Sequence, residues 1–253
     1  MCPCLTYCLK RSNFQGLIYP RDKKRHPKAL TPDYKSTLYR SPQMPPLPLE
    51  STISEVTGPV FGHNTIGEFD SDLTRNFSTG NEMAIGERII VHGKVFDENA
   101  NVIPNVLIEV WQANAGGRYR HFNDNYKVPL DPNFGGCGRC ITDKNGCYSF
   151  DTIRPGAYPW PNGGNDWRPS HIHFSIFGRS FAQRLITQMY FEGDPLINLC
   201  PIAQTIKDPK GLESLIANLD MGNTIHMDAR AYSFNIVLRG KDSTIFENKL
   251  NGN

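Results

Sequence analysis

The stretch Arg168-Pro169-Ser170-His171-Ile172-His173-Phe174-Ser175-Ile176-Phe177 holds two histidines, one residue apart, inside an apolar run. Read as a β-strand, it sends successive side chains to opposite faces. His171 and His173 then share one face, while Ile172, Phe174 and Ile176 share the other, the pattern of a strand with one side in a core. Two rises of about 3.3 Å put the histidine Cα atoms about 6.6 Å apart, a spacing that lets two imidazoles converge on one metal ion. Just upstream, Arg154-Pro155-Gly156-Ala157-Tyr158-Pro159-Trp160 supplies one tyrosine, and Gly117-Arg118-Tyr119-Arg120-His121 supplies another.

Working outward, the chain reads as strand after strand. Residues 88–96 are rich in β-formers and end in the turn residues Asp97-Glu98-Asn99. Residues 106–112 alternate, with Val106, Ile108 and Val110 facing one way and Leu107, Glu109 and Trp111 the other. Asp143-Lys144-Asn145-Gly146 is a hairpin signal ahead of Cys147-Tyr148-Ser149-Phe150. Residues 185–191 and 232–238 complete the set. Short strands with frequent turns predict a mainly β fold, a β-sandwich core with long loops. One short helix is expected in the C-terminal half. Asp208 serves as its N-cap, Pro209 is its first residue, Leu212, Leu215, Ile216 and Leu219 fall at helical spacing, and Gly222 ends it. Residues 114–136 form a long loop with little apolar periodicity, and loops of that length in compact domains are often functional.

Composition bounds the class. The 253 residues are 39% hydrophobic and 21% charged, which describes a folded globular chain and not a disordered one. The 22 glycines and 19 prolines favour a turn-rich, β-dominated fold. A net charge of +2 gives no reason to invoke nucleic acid or an acidic membrane surface, and no apolar run reaches the length of a membrane span. Residues 1–10 have a short apolar stretch broken by Pro3 and lack a signal-peptide layout, so a cytoplasmic location is the expectation. Of the seven cysteines, Cys137 and Cys140 form a CxxC without a second CxxC at zinc-finger spacing. They read as reduced cysteines in a strand and a turn. Residues 1–60 read as an extended arm, since Pro27, Pro32, Pro42, Pro45, Pro46, Pro48 and Pro59 interrupt any helical pattern. Such an arm makes no core of its own. It is expected to lie over the main domain, residues 61–253, or against a partner chain.

By pattern alone the two histidines and two tyrosines stay ambiguous between a metal site and ordinary packing, because the chain has 10 tyrosines and most tyrosines pack. Longer motifs carry further information. Val110-Trp111-Gln112-Ala113-Asn114-Ala115-Gly116-Gly117-Arg118-Tyr119-Arg120-His121, Leu130-Asp131-Pro132-Asn133-Phe134-Gly135-Gly136, residues 152–160, 165–174 and 188–196, and Leu238-Arg239-Gly240 together resemble the β-subunit family of the protocatechuate 3,4-dioxygenases, intradiol ring-cleaving enzymes. The resemblance runs from about residue 21 to the C-terminus. It implies a β-sandwich with elaborated loops and one mononuclear non-haem Fe³⁺ held by Tyr119, Tyr158, His171 and His173. It also implies an α subunit as partner in a hetero-oligomer, with α residues completing the pocket. The paralogous α subunits lack a full ligand set, so this chain resembles the iron-bearing partner.

The chemistry of that set is coherent. Phenolate is a hard, anionic donor suited to a trivalent ion, and a bound cation deprotonates a tyrosine whose free pKa is about 10. Ferrous oxygenases contrast with this design by using two histidines and one carboxylate. The resemblance implies that Tyr158 leaves and takes a catechol proton while Tyr119 stays. It implies that Arg168 is a fixed cation stabilising negative charge on the ring and on oxygen, and that Gln188 hydrogen-bonds oxygen species. Tyr34, Trp160 and Ile202 match substrate-pocket positions, aromatic and apolar walls for a flat ring, although packing explains Trp160 and Ile202 almost as well. Trp111 reads as core or as a neighbour of the ligands. The implied reaction is cleavage of protocatechuate by O₂ to 3-carboxy-cis,cis-muconate, in aromatic catabolism (the β-ketoadipate pathway). One alternative is an intradiol enzyme for catechol or hydroxyquinol, but those relatives carry a helical N-terminal dimerisation segment that this proline-rich arm does not resemble. The other is a non-catalytic β-sandwich assembly module, against which the four ligand types and Arg168 argue.

Overall fold

The computed structural model describes residues 27–41, 66–178, 184–238 and 242–245. Residues 1–10, with their three cysteines, and most of the predicted arm lie outside the described residues. Within the arm, residues 27–41 contain the short helix α1 (Thr37–Arg40). The domain that follows runs β1 (Arg88–Phe96), β2 (Leu107–Gln112), β3 (Cys137–Ile141), β4 (Cys147–Ile153), β5 (Tyr158–Trp160), β6 (Asp166–Arg168), β7 (His171–Phe177) and β8 (Arg184–Phe191). Two 3₁₀ turns (Pro195–Leu199, Ala203–Thr205) precede α2 (Pro209–Glu213), and then come β9 (Ile216–Ile225), β10 (Ala229–Ser233) and β11 (Ile236–Val237). The fold is mainly β, as the strand pattern predicts.

Nine of these strands form one hydrogen-bonded sheet: eight follow the path β11-β1-β10-β9-β8-β7-β2-β3 and β4 pairs with β1 off that path, while β5 and β6 form a separate hairpin. The path doubles back on itself at β9. Its first residues pair parallel with β8 (Tyr190↔Ile216, Phe191↔Ala217). Its later residues pair antiparallel with β10. One layer is therefore β2, β3, β7 and β8, and the other is β1, β4, β10 and β11, with β9 as the corner between them. The apolar faces meet in one core containing Ile89, Val91, Ile108, Val110, Phe150, Ile172, Phe174 and Ile176. The non-histidine face of β7 lies in that core, with Ile172, Phe174 and Ile176 all at 0% exposure.

Three local expectations need correction. The helix predicted to reach Gly222 stops at Glu213, and Ile216 to Ile225 is strand. Asp208 does cap it, its carboxylate accepting from the Lys210 N–H at 3.1 Å. The apolar residues beyond it are claimed instead by the sheet, because closing the two layers at β9 supplies backbone partners that a lone helical turn lacks. The Asp143-Lys144-Asn145-Gly146 turn forms, with Gly146 at φ +70°, yet it does not make a hairpin sheet. β3 pairs with β2 and β4 with β1, so the turn is an arch carrying the chain between layers. The strand expected over 232–238 is broken into β10 and β11, both parallel to β1. At the break the Asn235 side chain accepts from Lys94 N at 2.9 Å, in place of a ladder bond.

Cys137 and Cys140 lie on β3, three residues apart, and so face opposite ways, the first exposed and the second buried. Among the described residues no helix is long and apolar enough to cross a membrane.

Phe174 sits at the centre of the core, its ring 5.2 Å from Phe234, 5.9 Å from Phe150 and 6.2 Å from Tyr148. Phe174→Ala is expected to destabilise the fold by about 3–5 kcal/mol, read as a shift of the denaturant midpoint of the assembled enzyme with an unchanged slope.

Candidate metal centre

The side chains of β7 that point away from the core build the site. Cross-strand register puts His173 beside Trp111 of β2 and Gln188 of β8, and His171 beside Tyr190 of β8. The Trp111 and His173 rings stack, 4.8 Å apart and 3° from parallel. Trp111 is thus a wall that holds the His173 ring in one plane. The two imidazoles meet edge to face at 4.9 Å.

His171 is 1% exposed. Its Nδ1 lies 2.6 Å from the Pro169 carbonyl oxygen. A carbonyl can only accept, so Nδ1 carries the proton and donates, and the Nε2 lone pair points away from the strand. Burial, then the Arg168 cation and the neighbouring His173, hold the His171 pKa well below its ordinary value. Burial, then Arg168, push His173 down to about 3. Both rings are therefore neutral at physiological pH, the state in which an imidazole can ligate.

Two phenols face that lone pair. The hydroxyls of Tyr119 and Tyr158 each lie 3.4 Å from His171 Nε2. Their rings meet edge to face at 5.5 Å. The two come from different elements, Tyr158 from β5 and Tyr119 from the long loop after β2, and glycine permits their approach. At Gly117, φ is +86° and an added Cβ would stand 2.3 Å from the Ala157 carbonyl oxygen and 3.2 Å from Tyr158 Cβ. At Gly156 an added Cβ would stand 2.4 Å from the Ala115 carbonyl oxygen. The loop is also stitched internally. The Asn114 carboxamide accepts from the N–H groups of Gly116 and Arg118, each at 3.0 Å, and donates to Pro129 O at 3.0 Å. The Asp124 carboxylate accepts from Tyr119 N at 2.8 Å. Ser170 joins the segments that carry Tyr158 and His171, its hydroxyl donating to Pro155 O at 2.7 Å and its N–H to Asp194 at 3.0 Å.

Arg168 is the cross-strand partner of Tyr158 in the β5–β6 hairpin. It is 4% exposed, with its guanidinium 5.8 Å from the Trp160 ring centroid. It donates to Gln188 Oε1, which also accepts from the Tyr190 hydroxyl at 3.1 Å. Tyr34 from the arm meets Trp160 edge to face at 5.3 Å. It shares an apolar cluster with Tyr190 and Ile202, against which Trp160 packs. Beside Tyr158 and Trp160 an open groove runs to the loop bearing Asp124 and Tyr126. All nine candidate site residues thus gather at one end of the sheet. Tyr190 was missed in sequence although it follows Gln188 by two and so shares its face. Asn114, Gly117 and Gly156 carried no signal, because their role is an approach between distant segments.

Whether this cluster suits a trivalent ion can be judged on its own atoms. Two phenol oxygens and two neutral imidazoles form a donor set of hard and borderline character. His173 Nδ1 is buried without a hydrogen-bond partner, a polar atom otherwise unmet. The residues fit such an ion.

The family model described as "Dioxygenase" matches residues 56–240, and the model for the N-terminal part of the protocatechuate 3,4-dioxygenase β subunit matches residues 19–52. The protocatechuate 3,4-dioxygenase β chain of Burkholderia cepacia is 48% identical over 231 residues, 91% of this chain and 97% of that one. The chain belongs to the β-chain family of the protocatechuate 3,4-dioxygenases. It is an enzyme of the intradiol dioxygenase class, a class that uses non-haem iron. The α chain of the Pseudomonas putida enzyme is 31% identical over 205 residues, covering 78% of this chain and 96% of that one. Kinship with a β chain implies an α-chain partner. The solved 3-chlorocatechol 1,2-dioxygenase of Rhodococcus opacus superposes with a TM-score of 0.51 at 25% identity, over 70% of this chain and 66% of that one.

Gly117→Ala is expected to part the Tyr119 and Tyr158 segments, because the added Cβ meets backbone. Ring-cleavage activity at saturating substrate should fall at least about tenfold. Near wild-type activity would show that the two segments tolerate separation.

Proposed function

We propose that this chain performs the intradiol cleavage of protocatechuate by O₂ to 3-carboxy-cis,cis-muconate, at a ferric site held by Tyr119, Tyr158, His171 and His173 and completed by an α chain. The observation that carries the reading is the convergence of two phenol oxygens on one imidazole nitrogen, each at 3.4 Å. Bound there, a ferric ion supplies a Lewis-acidic, electron-accepting centre that makes a catechol ring reactive towards O₂. The protein's own groups do the rest.

The two tyrosines have different surroundings, and this supports different roles. Tyr119 is pinned through its backbone by Asp124 at 2.8 Å, next to the Asn114-ordered turn. Tyr158 lines the open groove and has space to swing into. A catechol bound as a dianion would have to shed two protons: Tyr158, released from the ion as a phenolate, would accept one at its phenolate oxygen, and the other would pass to solvent through the open groove. Tyr119 remains, and the two histidines stay neutral because burial and Arg168 disfavour their cations. Arg168, fixed by Gln188, presents a buried positive charge beside the reacting ring, where developing negative charge gains most from it. Tyr34, Trp160 and Ile202 supply the aromatic and apolar walls against which a flat ring rests. Matching over both the N-terminal and catalytic regions favours protocatechuate over catechol or hydroxyquinol as substrate. The division into an arm, 1–60, and a catalytic domain, 61–253, belongs to the same reading, with the arm delivering Tyr34.

Phenolate on Fe³⁺ gives a broad visible charge-transfer band, so the isolated iron-loaded enzyme should be coloured. Anaerobic protocatechuate should shift the band, and O₂ should restore it. A colourless iron-loaded protein would refute the ligand set. In Tyr158→Phe, kcat is expected to fall by about 10²-fold while Tyr119 preserves part of the band. Unchanged turnover would show that Tyr158 is not the proton acceptor.

A further inference from the structure

The residue that joins the arm to the site is Asn162, in the turn of the β5–β6 hairpin two residues after Trp160. It is 6% exposed. Its carboxamide straddles Tyr34. Oδ1 accepts from Lys35 N at 2.9 Å, and Nδ2 donates to Asp33 O at 2.8 Å. Those are the two peptide groups that flank Tyr34 in sequence. The side chain thus pairs with the arm as a neighbouring strand would, through one donor and one acceptor. The second proton of Nδ2 goes to Asp166 Oδ2 at 2.9 Å. A carboxylate only accepts, so this contact orients the amide and excludes the flipped arrangement.

Each end of the clamp is firm. On the arm side, the Thr37 hydroxyl lies 2.7 Å from Thr31 O and 2.8 Å from Tyr34 O, and Thr37 is fully buried. The Arg40 guanidinium covers the Tyr34 ring at 4.8 Å. On the domain side, Asp166 opens β6, whose last residue Arg168 pairs with Tyr158. Asn162 therefore couples the position of Tyr34 to the same hairpin that carries Tyr158, Trp160 and Arg168.

We infer that Asn162 is a positioning residue for substrate binding: it clamps the backbone on both sides of Tyr34 and so sets the pocket wall that Tyr34 forms against Trp160. This rests on the reading that Tyr34 and Trp160 line the substrate pocket. The side-chain hydrogen bonds of Asn162 go to Asp33, Lys35 and Asp166 and to none of Tyr119, Tyr158, His171 and His173, so its loss is expected to act on ground-state binding and not on the chemical step.

The test uses the iron-loaded enzyme with its α chain, at saturating O₂. Asn162→Ala is expected to raise KM for protocatechuate about tenfold with kcat within about twofold, and to leave the resting visible band unchanged. Affinity for 4-hydroxybenzoate, a monophenol that cannot be cleaved as a catechol, should fall in parallel. Tyr34→Ala is measured alongside, together with the double variant. If Asn162 works through Tyr34, the double variant binds no worse than Tyr34→Ala alone. Should Asn162→Ala fold poorly, Asn162→Asp retains size but turns a carboxylate towards Asp33 O and Asp166, and the same KM pattern is expected. An unchanged KM in the Asn162 variants when Tyr34→Ala raises it would overturn the inference. So would additive effects in the double variant, or a loss confined to kcat. If Tyr34→Ala itself leaves KM unchanged, the pocket reading fails first and the inference falls with it.

Discussion

The hydrogen bond from His171 Nδ1 to the Pro169 carbonyl is the interaction on which the site depends. His171 lies in a strand whose other face is the centre of the core, so its ring is buried and has one conformation to adopt. Proline at 169 has no N–H of its own to offer, and its carbonyl, two residues before His171, takes the Nδ1 proton at 2.6 Å. That settles the tautomer and aims Nε2 at the two phenols. Arg168, buried one residue earlier, adds an electrostatic penalty against a second proton on either ring. A neutral, oriented imidazole in a buried strand is thereby produced by four consecutive residues, Arg168 to His171.

Around that strand the architecture brings together segments with no local relation. β2 and β8 flank β7 and contribute Trp111, Gln188 and Tyr190 by register alone. The β5–β6 hairpin brings Tyr158 and Arg168 as cross-strand partners. The long loop after β2 brings Tyr119, held against β5 only because Gly117 and Gly156 have no side chains to intervene. The arm brings Tyr34 from more than a hundred residues away and is fastened at Asn162. The large sheet thus carries the histidines and Gln188, while the groove side of the site, Arg168 included, is built from a loop, a hairpin and an arm. This division suits the proposal that the histidines and Tyr119 stay in place while Tyr158 moves.

Legibility followed the range of the interaction. The alternation of His171, Ile172, His173 and Phe174 was readable because strand periodicity is local, and the structure places each side chain on its expected face. The same rule would have found Tyr190 from Gln188. Periodicity misled at residues 212–222. Leu212, Leu215, Ile216 and Leu219 fit a helix equally well, but pairing with β8 and β10 turned the later ones into a corner strand. The Asp143–Gly146 turn was read correctly as a turn and wrongly as a hairpin, since turn chemistry is local and the choice of layer is not.

By itself the sequence determined the β-rich class, the two-faced histidine strand, the presence of all four candidate donors and, through extended motifs, the dioxygenase kinship. Each of these is written in residue type and short-range spacing. Only the tertiary structure decided that Tyr119 and Tyr158 face one histidine nitrogen, that Gln188 braces Arg168, and that Asn162 grips both sides of Tyr34. Those contacts join residues from 13 to 129 positions apart in the chain. No local pattern encodes such distances, because they exist only once the two sheet layers, the loop and the arm have closed on one another.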